Sequence, residues 1–358
     1  MCTVCATVRQ KYPGFLLNLQ NQLESLSQED LDRASKFGGL DIQDLITLVL
    51  NPKDYTVDTP ENVKRSDVII HDELSIDLAR QGESLLKDNA VAFCILAGGA
   101  GTRIGRPKCL LEIPGTTDTL ITRKLKQSTH IKNVWIMVSH DLVDVVKQHL
   151  TSKNLMRDGI EIIEQYESIR LTPDNQISLT ADGKPNFYPC GHGDVVPALQ
   201  HSGLISKFLS EGGKYIYVSN VDNVLAYPDE KIVGLHHNNK ASVTCEVVKR
   251  NPEDKGGFLC VHEGVNQIVE SFRMSYETDL DQFEWLNTNT MIFNANLPFE
   301  GIHWSWHRVK KNVNNQLVIQ HERLLQQLSE VFQTQFVEVN RKDRFMPIKS
   351  ASDLDKIK

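Results

Sequence analysis

No stretch of this chain is apolar for long enough to cross a bilayer, and its first residues show no secretory-signal pattern. Basic residues are not in excess: 39 Lys plus Arg stand against 46 Asp plus Glu, a net charge of −7. That balance argues against general nucleic-acid binding, and no membrane partner is expected. Cysteines are few, seven in all, odd in number and irregularly spaced. Cys94 and Cys245 sit inside apolar runs, so no disulfide framework is expected, and the reading is a cytoplasmic protein with reduced thiols. Cys2-x-x-Cys5 has no second pair to close a zinc site. Internal repeats and low-complexity segments are also missing. What remains is 358 residues, 40% of them hydrophobic, enough for one large core or two modest ones.

The most informative segment runs from Leu96 to Lys108. The apolar run Val91–Leu96 has the length and composition of a buried strand. Directly after it come Ala97, Gly98, Gly99, Gly101, Thr102, Arg103, Gly105 and Lys108. Glycines allow a sharp turn and let backbone N–H groups approach a ligand without Cβ clashes. Arg103 and Lys108 add positive charge. A glycine loop after a strand, closed by Arg and Lys, suits a polyphosphate. No Gly-Lys-Ser/Thr follows, so it is not a Walker loop. The plainer alternative is a glycine-rich turn carrying solvated basic residues.

The first 90 residues read as helical. Leu16, Leu19, Leu23 and Leu26 share one face, Ser27 and Asp30 form a capping pair, and Gly38-Gly39 ends that helix. Asp41 caps a second helix that Pro52 stops after Leu50; residues 51–71 read as a polar connection, and a third helix covers about 73–87. Strands then alternate with helices: strands at Val134–Val138, Tyr215–Val218 and Ser242–Val248, helices at about 144–150 and 230–237. Alternation implies right-handed crossovers and a mostly parallel sheet, with ligands at the carboxyl ends of its strands. The glycine loop and Asn220-Val221-Asp222 both follow strand ends, so they are expected to meet. Residues 173–187 and 252–257 read as loops or hairpins over the cleft where they meet.

These motifs resemble a known family. Gly98-Gly99-x-Gly101-Thr102-Arg103-x-Gly105-x-Pro107-Lys108 is similar to the signature of sugar-1-phosphate nucleotidyltransferases. Gly191-His192-Gly193-Asp194, Val218-Ser219-Asn220-Val221-Asp222-Asn223, Lys255-Gly256-Gly257, Leu286–Thr290 and Arg344–Lys349 narrow the resemblance to eukaryotic-type UDP-glucose and UDP-sugar pyrophosphorylases. It runs from about residue 74 onward. It implies an α/β fold: a Rossmann-like, mostly parallel mixed sheet of the nucleotidyltransferase (GT-A-like) type. An N-terminal helical region would cover residues 1–72 and a catalytic domain residues 73–358. The family's C-terminal β-helix is expected to be missing after Lys358.

The resemblance also implies the chemistry. A sugar 1-phosphate attacks the α-phosphorus of a nucleoside triphosphate and pyrophosphate leaves. UTP and glucose 1-phosphate are the favoured substrates and Mg²⁺ the cofactor. The nucleophile is already ionised, so the protein must supply positive charge, a metal and alignment rather than a base. By family position, Lys349, Arg103 and Lys108 are catalytic. Leu96, Ala97, Gly98, Gly99, Gly101, Thr102, Lys108, Gln165 and Gly191 hold the nucleotide. His192, Asn220, Asp222, Glu270 and Asn289 take the sugar phosphate, and Asp222 takes the metal, a hard cation that prefers oxygen. Glu322 matches an acidic family position of no clear role. Two departures stand out: the residues around Gln165 have drifted, and the link between Gly105 and Pro107 is short. The alternatives are the same reaction with another base or sugar (GTP or CTP; an N-acetylhexosamine or cyclitol phosphate), a glycosyltransferase, disfavoured by the triphosphate loop, and a non-catalytic homologue, disfavoured by retention of Lys108, Asp222 and Lys349.

Overall fold

The computed structural model describes residues 19, 21–22, 25–35, 42–50, 53, 55–99 and 106–357. Cys2, Cys5, Leu16, Leu23, Gly38, Gly39 and Asp41 lie outside them, as do Gly101, Thr102, Arg103 and Gly105 of the glycine loop. Along the described chain the strands are β1 (Val68–Ile70), β2 (Val91–Leu96), β3 (Val134–Val138), β4 (Ile160–Glu164), β5 (Glu167–Ile169), β6 (Phe187–Pro189) and β7 (Tyr215–Asn220). Then come β8 (Val243–Lys249), β9 (Gly257–His262), β10 (Val265–Glu270), β11 (Trp285–Asn294), β12 (His307–Val313), β13 (Gln316–Glu322) and β14 (Thr334–Glu338). Contacts divide the chain into two units. One comprises Met1–Tyr55, Gln165–Pro197 and Trp304–Leu324; the other Thr56–Glu164, Ala198–His303 and Leu325–Lys358.

The larger unit carries a ten-stranded sheet in the order β1-β14-β8-β11-β7-β2-β3-β4, with the β9–β10 hairpin joined through β11. Pairs β2·β3, β2·β7, β3·β4, β8·β14 and β1·β14 are parallel. Only strands covered on both faces read as unbroken apolar runs, and every residue of β2 and β3 is buried. Helix Leu120–Gln127 links β2 to β3 and helix Val143–Ser152 links β3 to β4, the expected crossovers. β11 runs antiparallel to both β7 and β8. The reason lies in the connection: β8, β9, β10 and β11 follow one another without an intervening α-helix. The expected mostly parallel mixed sheet is therefore present.

Two local expectations change. Residues 51–71 contain strand β1, which pairs with β14 through Val68↔Phe336, and Val57 and Glu61 form bridges to Met274 and Val261. The third helix begins at Ile76, where Ser75 caps it by accepting from the Leu78 N–H.

The smaller unit holds helices Gln28–Ser35 and Ile42–Leu50 and the ladders β5·β6 and β12·β13. Ser27 accepts from the Asp30 N–H at 3.1 Å, the expected cap. Leu19 and Ala34 are buried with Ile169 and Ile177, with Leu26 packed against them, while Leu45 is buried with Leu171 and Ile319. Arg33 bonds Glu167 at 2.6 Å and lies 4.4 Å over the Phe187 ring. Residues 171–186 turn back on themselves through the bridges Leu171↔Ile177 and Leu179↔Pro185. Among the described residues no helix is long and apolar enough to cross a membrane.

In the larger unit, helix Ile76–Lys87 packs on helix Glu230–Asn239 through two glycines. A Cβ on Gly82 would overlap the Glu230 carbonyl, and one on Gly234 would overlap the Leu78 carbonyl. Two backbones in contact leave no room for a methyl group. Gly234→Ala is expected to cost about 1–3 kcal/mol, the usual penalty of overpacking, read as a lower urea midpoint with unchanged slope. A midpoint equal to that of the parent would contradict the close crossing.

Candidate active site

In the larger unit, β2 and β7 pair so that Leu96 stands opposite Asn220, and the Val221 N–H donates to the Leu96 carbonyl at 2.9 Å. The chain leaving β2 and the chain leaving β7 therefore start from the same level. Ala97 is tied to β3 through the Met137 carbonyl at 2.7 Å, and Gly98 is buried. Gly99 is exposed, and a Cβ there would meet nothing described within 4 Å. The Lys108 N–H donates to the Gly99 carbonyl at 3.3 Å, closing the loop at its base. Lys108 Nζ then donates to Asp222 Oδ2 at 2.5 Å. The two residues are 114 apart in sequence, and both side chains are partly exposed. Of the expected meeting of the glycine loop with Asp222, the described residues show the part made by Lys108.

Two further segments reach this corner. Asn289 sits in a break of register in β11, between Asn287 and Thr290, at φ +55°. Asparagine takes the left-handed region more readily than other non-glycine residues, and here it occupies the bulge. Its Nδ2 donates to Asn220 Oδ1 at 2.9 Å, while its buried Oδ1 has no partner among the described residues. Segment 344–349 runs alongside. The Ile348 N–H donates to the Asp222 carbonyl at 2.9 Å, and Pro347 bridges Asn223. Asn223 completes the seam: its Oδ1 accepts from the Met346 N–H at 3.0 Å and its Nδ2 donates to the Arg344 carbonyl at 3.1 Å. Lys349 follows with an exposed side chain, its N–H donating to Asp353 at 3.0 Å. Lys108, Asn220, Asp222, Asn289 and the Lys349 backbone accordingly share one corner of the sheet. Glu270 ends β10, where its Oε1 accepts from Gln326 Nε2 at 2.6 Å.

Sequence reasoning missed Lys124. It lies on the buried face of helix Leu120–Gln127 beside Leu120, Ile121 and Leu125 and is fully buried. Its Nζ donates to Ser219 Oγ at 3.0 Å and to the Ala226 carbonyl, and it lies 4.8 Å over the Tyr227 ring. Burial, and then the Arg344 charge, hold its amine well below the usual lysine range. The overlooked signal was a lysine on an otherwise apolar helical stripe.

Gln165, Gly191 and His192 belong to the smaller unit. Gln165 is buried, and its Nε2 donates to the Gly191 carbonyl at 2.7 Å. Gly191 has φ +100°, and a Cβ there would overlap the Arg323 carbonyl, so the turn demands glycine. Asp194 is fully buried and accepts from Arg323 Nε at 2.5 Å. Arg323 lies 5.3 Å over Tyr166 and 4.7 Å over Trp306. Burial pushes the Asp194 carboxyl up to about 6 against the pull of Arg323. Burial, helped by Lys311, pushes the His192 imidazole down to about 4, so the ring is neutral near pH 7. Glu322 pairs with Lys311.

A profile of the UTP–glucose-1-phosphate uridylyltransferases matches residues 44–357. The match starts earlier than the ordered motifs and takes in most of helix Ile42–Leu50. An enzyme of that name from Encephalitozoon cuniculi is 26% identical over 304 residues, 80% of this chain and 61% of its own length. One from Hordeum vulgare is 27% identical over 284 residues, 72% of this chain and 59% of its own length. The chain thus spans about 60% of these relatives. Among solved structures, a mutant UDP-glucose pyrophosphorylase from Leishmania major superposes with a TM-score of 0.73 at 20% identity, over 95% of this chain and 78% of that one. A UDP-N-acetylglucosamine pyrophosphorylase from Trypanosoma brucei, in complex with inhibitor, gives 0.73 at 18% identity, over 99% and 84%. At these identities the structures establish the shared fold.

Three histidines predict the acid limb of stability. His192, His236 and His321 are each lowered from 6.5 to about 4, chiefly by burial. Between those values the unfolded chain binds protons that the folded chain does not, so stability falls as pH falls. Asp194, raised from 3.8 to about 6, acts in the opposite sense over nearly the same range, as do the raised Glu330 and His71, while the lowered His149 adds to the loss. The urea midpoint is expected to be lower at pH 4.5 than at pH 7; an equal or higher midpoint would refute the shifts.

Proposed function

The chain belongs to the UTP–glucose-1-phosphate uridylyltransferase family, and we propose that it joins a nucleoside triphosphate to a sugar 1-phosphate, releasing pyrophosphate. UTP and glucose 1-phosphate are the substrates the curated relatives' names point to. An N-acetylhexosamine 1-phosphate is the second choice, since a fold neighbour is a UDP-N-acetylglucosamine pyrophosphorylase. The observation that carries the reading is Lys108 Nζ at 2.5 Å from Asp222 Oδ2, across the ends of two adjacent parallel strands. A cation and a hard carboxylate at one strand-end corner suit a triphosphate together with its metal.

In the reaction, a sugar-phosphate oxygen forms a bond to the α-phosphorus as the bond to the bridging oxygen breaks, and that oxygen departs with pyrophosphate. Both reactants are anions, so the residues act by charge and alignment. Leu96 and Ala97 are committed to the sheet, so Gly98 and Gly99 would bring backbone N–H groups to the phosphates, with Gly101, Thr102 and Arg103 next in sequence. Lys108 would turn from Asp222 to a phosphate, and Lys349 would stand by the α-phosphate. Asn220 and Asn289 present amides to sugar hydroxyls, the buried Oδ1 of Asn289 being an acceptor in want of a donor. Neutral His192 would donate to the sugar phosphate, with Glu270 as a further hydroxyl acceptor. Gln165 and Gly191 would meet the base, although the Gln165 amide already bonds both the Gly191 carbonyl and the Asp194 carboxylate. Mg²⁺ fits the carboxylate of Asp222, a hard oxygen donor at the partly exposed strand-end corner. Asp222 would hold it, and it would neutralise phosphate charge.

The test is pyrophosphate release from four nucleoside triphosphates, each with a panel of sugar 1-phosphates. UTP is expected to lead. Lys349→Ala and Asp222→Asn are each expected to lower kcat about 10²–10³-fold with the thermal midpoint retained. Release of free nucleotide instead of pyrophosphate would indicate glycosyl transfer, and absence of turnover with every pair would indicate a non-catalytic homologue.

A further inference from the structure

Segment 344–349 does more than lie beside Asp222; it is anchored from inside the sheet. Arg344 points into the larger unit, where Nη2 donates to Glu246 Oε1 at 2.6 Å, to the Tyr217 hydroxyl at 2.9 Å and to the Tyr227 carbonyl at 2.8 Å, and Nε donates to Glu246 Oε2 at 3.2 Å. The Tyr217 hydroxyl itself donates to Glu246. Asp229 adds a second carboxylate 4.0 Å from Arg344 Nη1. The Glu246 side chain is 1% exposed and the Arg344 side chain 11%.

The connections of this pair are specific. The Glu246 backbone carbonyl accepts from Thr288 Oγ1 at 2.8 Å, and Glu246 faces Thr290 across the β8·β11 ladder. Glu246 therefore holds both sides of the bulge that carries Asn289. Tyr217 stands three positions before Asn220 on β7. Upstream, Arg341 binds Asp254 through two bonds, 2.7 and 2.8 Å. A buried ion pair is a poor source of net stability, because desolvation offsets its attraction. Its fixed, two-pronged geometry is better suited to setting position.

We propose that Arg344 and Glu246 are positioning residues that fix Lys349 relative to Asp222 and the Asn289 bulge. The proposal rests on the role given to Lys349 above. Its direct readout does not: the Met346 and Ile348 amides should be protected from hydrogen exchange because the anchor keeps them on Asn223 and Asp222.

The experiment compares the full chain with Arg344→Met, Arg344→Lys and Glu246→Gln, the last serving if Arg344→Met does not fold. In each, Met346 and Ile348 are expected to exchange at least about tenfold faster while the Ile95 amide of β2 is unchanged, a local loosening rather than a global one. The kcat is expected to fall about 10²-fold, the effect of small misplacement, with KM for the triphosphate within about threefold, and Arg344→Lys is expected to retain part of the loss. Unchanged exchange at Met346 and Ile348 overturns the anchor, whatever Lys349 does. Faster exchange with unchanged kcat overturns the proposal too. Faster exchange in a chain for which no substrate pair turns over upholds the anchor and sinks the enzymatic reading instead.

Discussion

The parallel pairing of β2 with β7 is the constraint on which the site depends. With Leu96 level with Asn220, the glycine-rich exit of one strand and the Asn220-Val221-Asp222 exit of the other leave the sheet at one height. A shift of a single residue would turn every side chain of β7 to the opposite face. It would also carry Asp222 away from Lys108. The register is secured by burial: every residue of β2 is buried, and so are Ile216, Tyr217, Val218 and Ser219 of β7. Site geometry is in this sense a product of core packing.

The distribution of positive charge follows from the same corner. A chain of net charge −7 has no general attraction for phosphate, so the proposed triphosphate site needs local positive charge. Three basic side chains converge near β7 by different routes. Lys108 bonds the Asp222 carboxylate at the partly exposed rim. Lys124 is buried against Ser219, the residue before Asn220. Arg344 is buried against Tyr217 and Glu246. Only the first is free to exchange partners with an incoming anion; the other two are committed to the scaffold. Their burial is tolerable because each is bonded to oxygen, the condition under which polar groups survive in a protein interior.

Much of this was legible in the sequence because its physics is local. Strands β2, β3, β7 and β8 showed as apolar runs since both sheet faces are covered. The Ser27 cap showed because it acts within three residues. What stayed hidden was held by distant partners. Val68-Ile69-Ile70 is a strand only because β14, more than 260 residues later, pairs with it. The bulge at Asn289 is a matter of register between β11 and β8, invisible in the order of residues. Arg344 and Glu246 are 98 residues apart, and neither carries a mark of its partner. Lys124 was the exception, readable as a lysine on an apolar stripe and passed over.

The central claim is that the β2–β7 corner receives a triphosphate through Lys108. Calorimetric titration of UTP with Mg²⁺ into the chain, repeated with Lys108→Met, tests it most directly. The account predicts saturable binding at one site, weakened at least about tenfold by loss of the lysine, the worth of one charge-assisted contact to phosphate. No saturable binding, or binding of equal strength in Lys108→Met, would contradict it.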